Sequence, residues 1–356
     1  MRTRWALTPL FTLVCAATLL SGCATYHRRV LDAEGARKVE ERMARRNHGW
    51  SRELEDRILA LDPEKVTARD IQEVLSKTSA PRILNIHGGI ILVYTRMISF
   101  SKFLIGMGYP EASLTNAADG SYTMSCYTSS RKIAGIAGWY YEKEALRPMI
   151  VGHSQGGMQT IKVLHELDKN PRIPVWNPLT WKEEDRSEII DPLTGEARPV
   201  AGLQLPYATA VGAGGLTRLM PNQWSTFGRL RSIPDSVEEF TGFYKNFDIL
   251  GGDFLGFGSA NHYTANGRAK VRIVRLPGKY SHVHMPATKH LLKSQEIKDW
   301  INNYTPEPGP VVTPELDVRF DSNSKRILWA AEVWYSIKKH WVLELQRLIR
   351  ARRAAS

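Results

Sequence analysis

Met149-Ile150-Val151-Gly152-His153-Ser154-Gln155-Gly156-Gly157 is the stretch on which the fold of this chain turns. Met149 to Val151 is a short apolar run, as expected of a buried strand. From Gln155 to Leu167, Met158, Ile161, Leu164 and Leu167 recur at helical spacing. Between the two lies Gly-x-Ser-x-Gly. Glycine and serine are common residues, so the pattern carries little weight alone. Placed between a strand and a helix, it predicts a sharp turn with Ser154 at its apex. Working outward, Arg82 to Ile86 is a second apolar run, ending in His87-Gly88-Gly89 as a strand entering a turn should. Leu203 to Val211, Glu239 to Tyr244 and Val271 to Leu276 read as further strands. Strands alternating with helical patterns imply βαβ units. The expectation is an α/β fold, with a mostly parallel sheet covered by helices on both faces.

A serine on such a turn has an exposed hydroxyl and stands at a helix N-terminus, which favours the negative charge that develops during acyl transfer. The flanking glycines suit a strained turn whose backbone passes close to helix and strand. With these features the sequence resembles the α/β-hydrolase superfamily over roughly residues 81–304. No two-strand hairpin precedes Arg82, so the resemblance is to a reduced version of that fold.

The resemblance implies Ser154 as nucleophile. It puts the oxyanion loop at His87-Gly88-Gly89, with backbone amides near Gly89 or Ile90, plus Gln155, as donors. Two glycines stand there instead of the longer run of some esterases, which leaves the donor open, and His87 reads as structural. In the family the acid follows the nucleophile along the chain and the histidine comes last. The acid orients the imidazole and stabilises its charged form, so it belongs on a loop after a strand. Asp248 and Asp253 both follow the Glu239–Tyr244 strand. Asp248, followed by two aliphatic residues, is favoured, and Asp253 is the alternative; the other would be a turn or capping residue. The base is expected at His282, in a Tyr-x-His setting after the last strand, with His284 as the alternative. Inserts at about 170–200 and 212–236 interrupt the core. Trp224, Phe227 and Leu230 in the second would line an acyl pocket or join the core.

His282, His284 and His290 also admit a metal-site reading. No cysteine or paired carboxylate stands near them in sequence, so neither metal nor cofactor is expected. His153 and His262 receive no role.

The chain has 356 residues, 43% hydrophobic and 24% charged, which excludes wholesale disorder. Its 48 Lys and Arg against 36 Asp and Glu give +12, suiting an anionic surface. Arg2 and Arg4 precede an apolar run from Trp5 to Leu20, and Leu20-Ser21-Gly22-Cys23 follows. This resembles the lipobox of bacterial lipoproteins, which implies a signal peptide over 1–22 and lipidation of Cys23. Ala24 after the cysteine favours a lipid anchor in the outer membrane, facing the periplasm, over the inner membrane. Removal of 1–22 would leave Cys126 as the one cysteine besides Cys23, so no intramolecular disulfide is expected, and Cys126 reads as a small buried hydrophobe.

Residues 23–80 read as two or three short helices, with Thr67 to Asp70 approximating a capping box. Prolines between 305 and 323 suggest a semi-rigid linker. Beyond it, Ile327, Trp334, Trp341 and Leu348 recur every seven residues within an amphipathic helix over about 325–353. Its Lys325, Arg326, Lys338, Lys339, Arg347, Arg350, Arg352 and Arg353 oppose only Glu332 and Glu344. The helix either lies on anionic lipid or packs on the core. Nucleic acid is not an expected partner of an exported protein. The functional expectation is a membrane-anchored serine hydrolase of carboxylic esters, lipid esters above all. A non-catalytic envelope binding or scaffold protein on the same fold is the rival. An amide, thioester or sugar O-acyl group is the alternative bond.

Overall fold

The computed structural model describes residues 29–46, 49–170, 172–213, 228–253, 261–277, 282–308, 311–314 and 323–355. Six strands form one parallel sheet: β1 (Ile83–His87), β2 (Met124–Ser125), β3 (Met149–His153), β4 (Leu205–Val211), β5 (Val237–Tyr244) and β6 (Lys270–Arg275), in the order β6-β5-β4-β3-β1-β2. This is an α/β fold with helical extensions. In the register, His87 pairs with Ser125, His153 with Val211, Phe243 with Val211 and Tyr244 with Arg275. The strands therefore end level, and the segments that follow them emerge along one carboxyl edge. The chain leaves β1 for β2 on one side and reaches β3 on the other, so the order reverses between β1 and β3. Open α/β sheets bind ligands at such a switch point.

One face of the sheet is covered by α1 (Ala33–Arg46), α5 (Ser130–Glu144) and α6 (Gln155–Lys169), packed around Trp139, Ile161 and Phe240. The other is covered by α4 (Ile91–Gly106), α7 (Gln295–Asn303) and α8 (Asn323–Ala355), with α2 (Arg52–Leu59) and α3 (Ala68–Glu73) outside them. The expected capping box opens α3: the Asp70 amide donates to Thr67 Oγ1 at 3.2 Å, and the Thr67 amide to Asp70 Oδ2 at 2.9 Å. β2, two residues long, escaped the sequence reading because so short an edge strand has no periodicity to show. The insert at 170–200 holds two small antiparallel pairs, Trp176–Asn177 with Lys182–Glu183 and Glu188–Ile190 with Ala197–Pro199. Of the insert at 212–236, residues 214–227 lie outside the described residues, Trp224 and Phe227 among them, while Leu230 is buried in the core. Cys23 and the expected signal peptide also lie outside the described residues, as does much of the 305–323 linker.

α8 decides between its two sequence readings. Ile327, Trp334, Trp341 and Leu348 are fully buried. Trp329 packs on Phe100 with ring centroids 4.6 Å apart, and Trp341 on Tyr109 at 4.9 Å. The stripe that could have lain on lipid is spent inside the protein. Several of its charged residues are buried as well, with Lys338 Nζ donating to the carbonyls of Val66 and Asn302 at 2.7 and 2.6 Å. The heptad pattern reported an apolar stripe correctly, but periodicity cannot say what covers it. Among the described residues, no helix is long and apolar enough to cross a membrane.

Candidate active site

Ser154 stands between β3 and α6 with φ +56° and ψ −126°, a conformation in which a side chain is strained. Its amide donates to the Val211 carbonyl at 2.8 Å, tying the turn to the end of β4. The motif's glycines have separate causes. A Cβ on Gly152 would overlap Thr160 Oγ1 and the Gly156 carbonyl, and one on Gly156 would overlap the Ile86 carbonyl of β1. The start of α6 thus presses directly against the neighbouring strand. Gln155 is the first residue of α6, and the opening amides of a helix have no intrahelical acceptor.

The loop after β1 lies alongside. A Cβ on Gly88 would meet Ser154 Cβ at 2.9 Å and Oγ at 3.2 Å, and one on Gly89 would approach Gln155 Oε1 at 2.5 Å and the Tyr127 hydroxyl at 2.7 Å. The structure therefore brings Gly88 against the serine and Gly89 against the Gln155 side chain, with Ile90 next in the same loop at the start of α4. Cys126 is buried there, its thiol 3.4 Å from Gln155 Oε1 and pushed by burial up to about 12. It holds the Gln155 side chain rather than reacting. His87 bonds the Gly88 carbonyl through Nδ1 at 2.8 Å and meets Tyr94 edge-on, a structural placement.

From the loops after β5 and β6 come the acid and the histidine. Asp248 Oδ2 is 2.9 Å from His282 Nδ1, and both side chains are buried. Burial acts on Asp248 most strongly and would raise it. The hydrogen bond and charge of His282, with the Gly251 amide and the charge of Lys245, outweigh that and hold the carboxyl below its ordinary value. Asp253 instead accepts from the Phe247 amide at 3.0 Å, and its own amide donates to the Asp248 carbonyl at 2.8 Å. It braces the loop that presents Asp248. His284, two residues beyond His282, lines a separate basic cleft. Tyr280, of the Tyr-x-His setting, lies outside the described residues.

Two contributors were not legible beforehand. His153 Nε2 bonds the His282 backbone carbonyl at 2.9 Å, and the two rings lie 4.7 Å apart. Burial, the charge of His282 behind it, holds His153 well below its ordinary value, so its imidazole is neutral and its Nε2–H is the donor. The signal available was period two along β3: Met149, Val151 and His153 share a face, the one that meets α8 and the His282 segment. Gly212, at φ +55°, is the second, since a Cβ there would strike His282 Cε1 and Nδ1 at 2.7 and 2.8 Å.

His282 Nε2 is buried and has no hydrogen-bond partner among the described residues, so the Ser154 hydroxyl does not bond to it. Such bonds are often long before substrate arrives. Around the site the carboxyl edge is apolar. Ile91 and Leu92 of α4, Tyr127 after β2, and Phe247, Ile249 and Leu250 beside Asp248 are each about half exposed or more. Among the described residues no group of three or more His, Cys, Asp or Glu side chains is disposed to hold a metal ion. The arrangement can deliver an alkoxide-like oxygen from Ser154, a proton acceptor oriented by a carboxylate, and backbone amides for an oxyanion. Compared with known proteins, the chain matches no family model and no curated protein.

Proposed function

We propose that this chain is a serine hydrolase of carboxylic esters, built on a reduced α/β-hydrolase fold and working through an acyl-enzyme. Ser154 Oγ attacks the carbonyl carbon while His282 Nε2 takes its proton. Asp248 holds the imidazole by Nδ1 and stabilises the imidazolium. The tetrahedral oxyanion is held by the Gln155 amide and an amide at Gly89 or Ile90. Collapse expels the alcohol, which leaves with the proton from His282. Water then releases the acyl group by the same route.

The observation that carries this reading is the combination of a strained Ser154 at the switch point with a buried His282 that has a carboxylate on one ring nitrogen and none on the other. Ester-chain apolarity is supported by the exposed Ile91, Leu92 and Phe247 at the site. A lipid anchor on Cys23 and an outer-membrane location facing the periplasm are part of the same proposal, supported by the lipobox-like Leu20-Ser21-Gly22-Cys23. The rival, a binding protein on the same fold, draws on the unmade Ser154–His282 bond.

Fluorophosphonate labelling separates the two. The wild-type chain is expected to label and Ser154→Ala not to. A folded wild type that does not label would overturn the hydrolase reading in favour of the binding one. A panel of esters, thioesters and amides of graded chain length then identifies the bond.

A further inference from the structure

Beside the His282 turn opens a cleft of about 640 Å³. Arg96 and Ser99 reach it from α4, His284, Lys289 and Lys293 from the segment after His282, and Arg326 from the first turn of α8. Among its described lining residues there is no carboxylate. Arg96 Nε is buried and has no hydrogen-bond partner among the described residues. Burial first, and then the neighbouring charge of Arg96, push the Arg326 guanidinium below its ordinary range. His284 is lowered by burial first and then by Arg96, Arg326 and Lys325. Ser99 Oγ accepts the Lys289 amide at 3.0 Å, leaving its own proton to donate.

Several other enclosed cations among the described residues have carboxylate partners. Arg82 has Glu144, Arg147 has Glu344, and Lys339 has Glu239. A solvated basic surface does not require a buried guanidinium nitrogen with nothing to bond, which is costly. Two guanidinium groups near each other, with ammonium groups and a hydroxyl, match the many acceptor oxygens of a phosphate.

We propose that this cleft binds a phosphate group, carried by the head of an anionic amphiphile or by a soluble phosphate compound. The cleft adjoins both the His282 turn and α4, whose first turn carries Ile91 and Leu92. An amphiphile would seat its phosphate among the cations and its acyl chains over the apolar rim, bringing an ester to Ser154. That consequence for substrate class rests on the hydrolase reading; phosphate binding does not.

The test is calorimetric titration of the full chain carrying Ser154→Ala, so that no probe is consumed, with inorganic phosphate, glycerol 3-phosphate and a short-chain phosphatidylglycerol. All three are expected to bind saturably. The Arg96→Gln/Arg326→Gln pair should weaken binding on the order of a hundredfold, about tenfold for each charge-assisted hydrogen bond removed. Phosphatidylglycerol binding tighter than phosphate and displaced by it supports the amphiphile. Equal binding by glycerol 3-phosphate supports the soluble source. No binding of any probe, or undiminished binding by a variant whose circular dichroism and melting are unchanged, overturns the proposal. Should that pair fail to fold, Lys289→Gln/Lys293→Gln, at exposed positions, asks the same question. Loss of fluorophosphonate labelling in the wild type would remove the hydrolase reading and leave the phosphate result standing.

Discussion

At the amino edge of the sheet, Arg82 enters β1 gripped by Glu144 at 2.6 Å and by the carbonyls of Ala112 and Thr115, all within the protein. Arg147, just before β3, bonds Glu344 of α8 through its side chain and its backbone amide. Glu239 near the start of β5 is held down to about 2 by His340 and Lys339, against burial that would raise it. At the carboxyl edge the pattern reverses. His282 Nε2 and Arg96 Nε are buried without partners among the described residues, Ser154 is strained, and apolar side chains face outward. α8 runs between the two edges, from Arg326 beside His284 to Glu344 beside Arg147. The contrast teaches where stability and chemistry are divided in this chain. One edge satisfies its charges internally and ties the extensions to the sheet. The other keeps groups available for something that is not protein.

The largest expected effect lies at the carboxyl edge. Asp248→Asn should keep the fold and lower ester turnover by about 10⁴-fold, since the amide supports the wrong imidazole tautomer. Asp253→Asn should fall well short of that, because it only braces the loop. Equal losses in steady-state kinetics would erase the distinction between the two acids.

At the amino edge the effect should be on stability alone. Glu344→Leu removes the carboxylate shared by Arg147 and Arg347, leaving Arg147 with Glu238 at 2.8 Å, and should cost about 3 kcal/mol in denaturant unfolding. The fraction that remains folded should label with fluorophosphonate at the wild-type rate. Slower labelling would show that the two edges are not independent.

His153 sharpens the comparison through pH. Its folded imidazole is held below the ordinary 6.5, so below that pH the unfolded chain takes up a proton that the folded chain refuses. Stability is therefore complete above about 6.5 and declines as pH falls beneath it. His153→Gln should flatten that decline, with His87 and His284, also lowered, keeping their share. The contribution of Asp248, whose folded value is also depressed, has the same sign but lies at lower pH. It is present above an ordinary value near 3.8 and is lost in the more acid range as pH falls through the depressed folded value. An unchanged slope between about pH 6.5 and 4 in the variant would deny His153 its buried, neutral state.

The smallest effect concerns strain. At φ +56°, Ser154→Gly should be more stable than Ser154→Ala by about 1 kcal/mol, read from thermal melting. An alanine variant as stable as the glycine one would mean that the turn is relaxed.

By itself the sequence determined the α/β class, the strand–turn–helix around Ser154, the apolar face of α6 and the stripe of α8. Each is a local matter. Periods of two and 3.6, and glycines where a Cβ has no room, act within a few residues of one another. Tertiary structure alone decided that Asp248 rather than Asp253 holds His282, that His153 bonds the backbone of His282 across 129 positions of chain, and that α8 turns its tryptophans to the core. These choices depend on which loops the sheet order brings side by side. Long-range contacts of that kind leave no periodicity in the sequence from which they could be read.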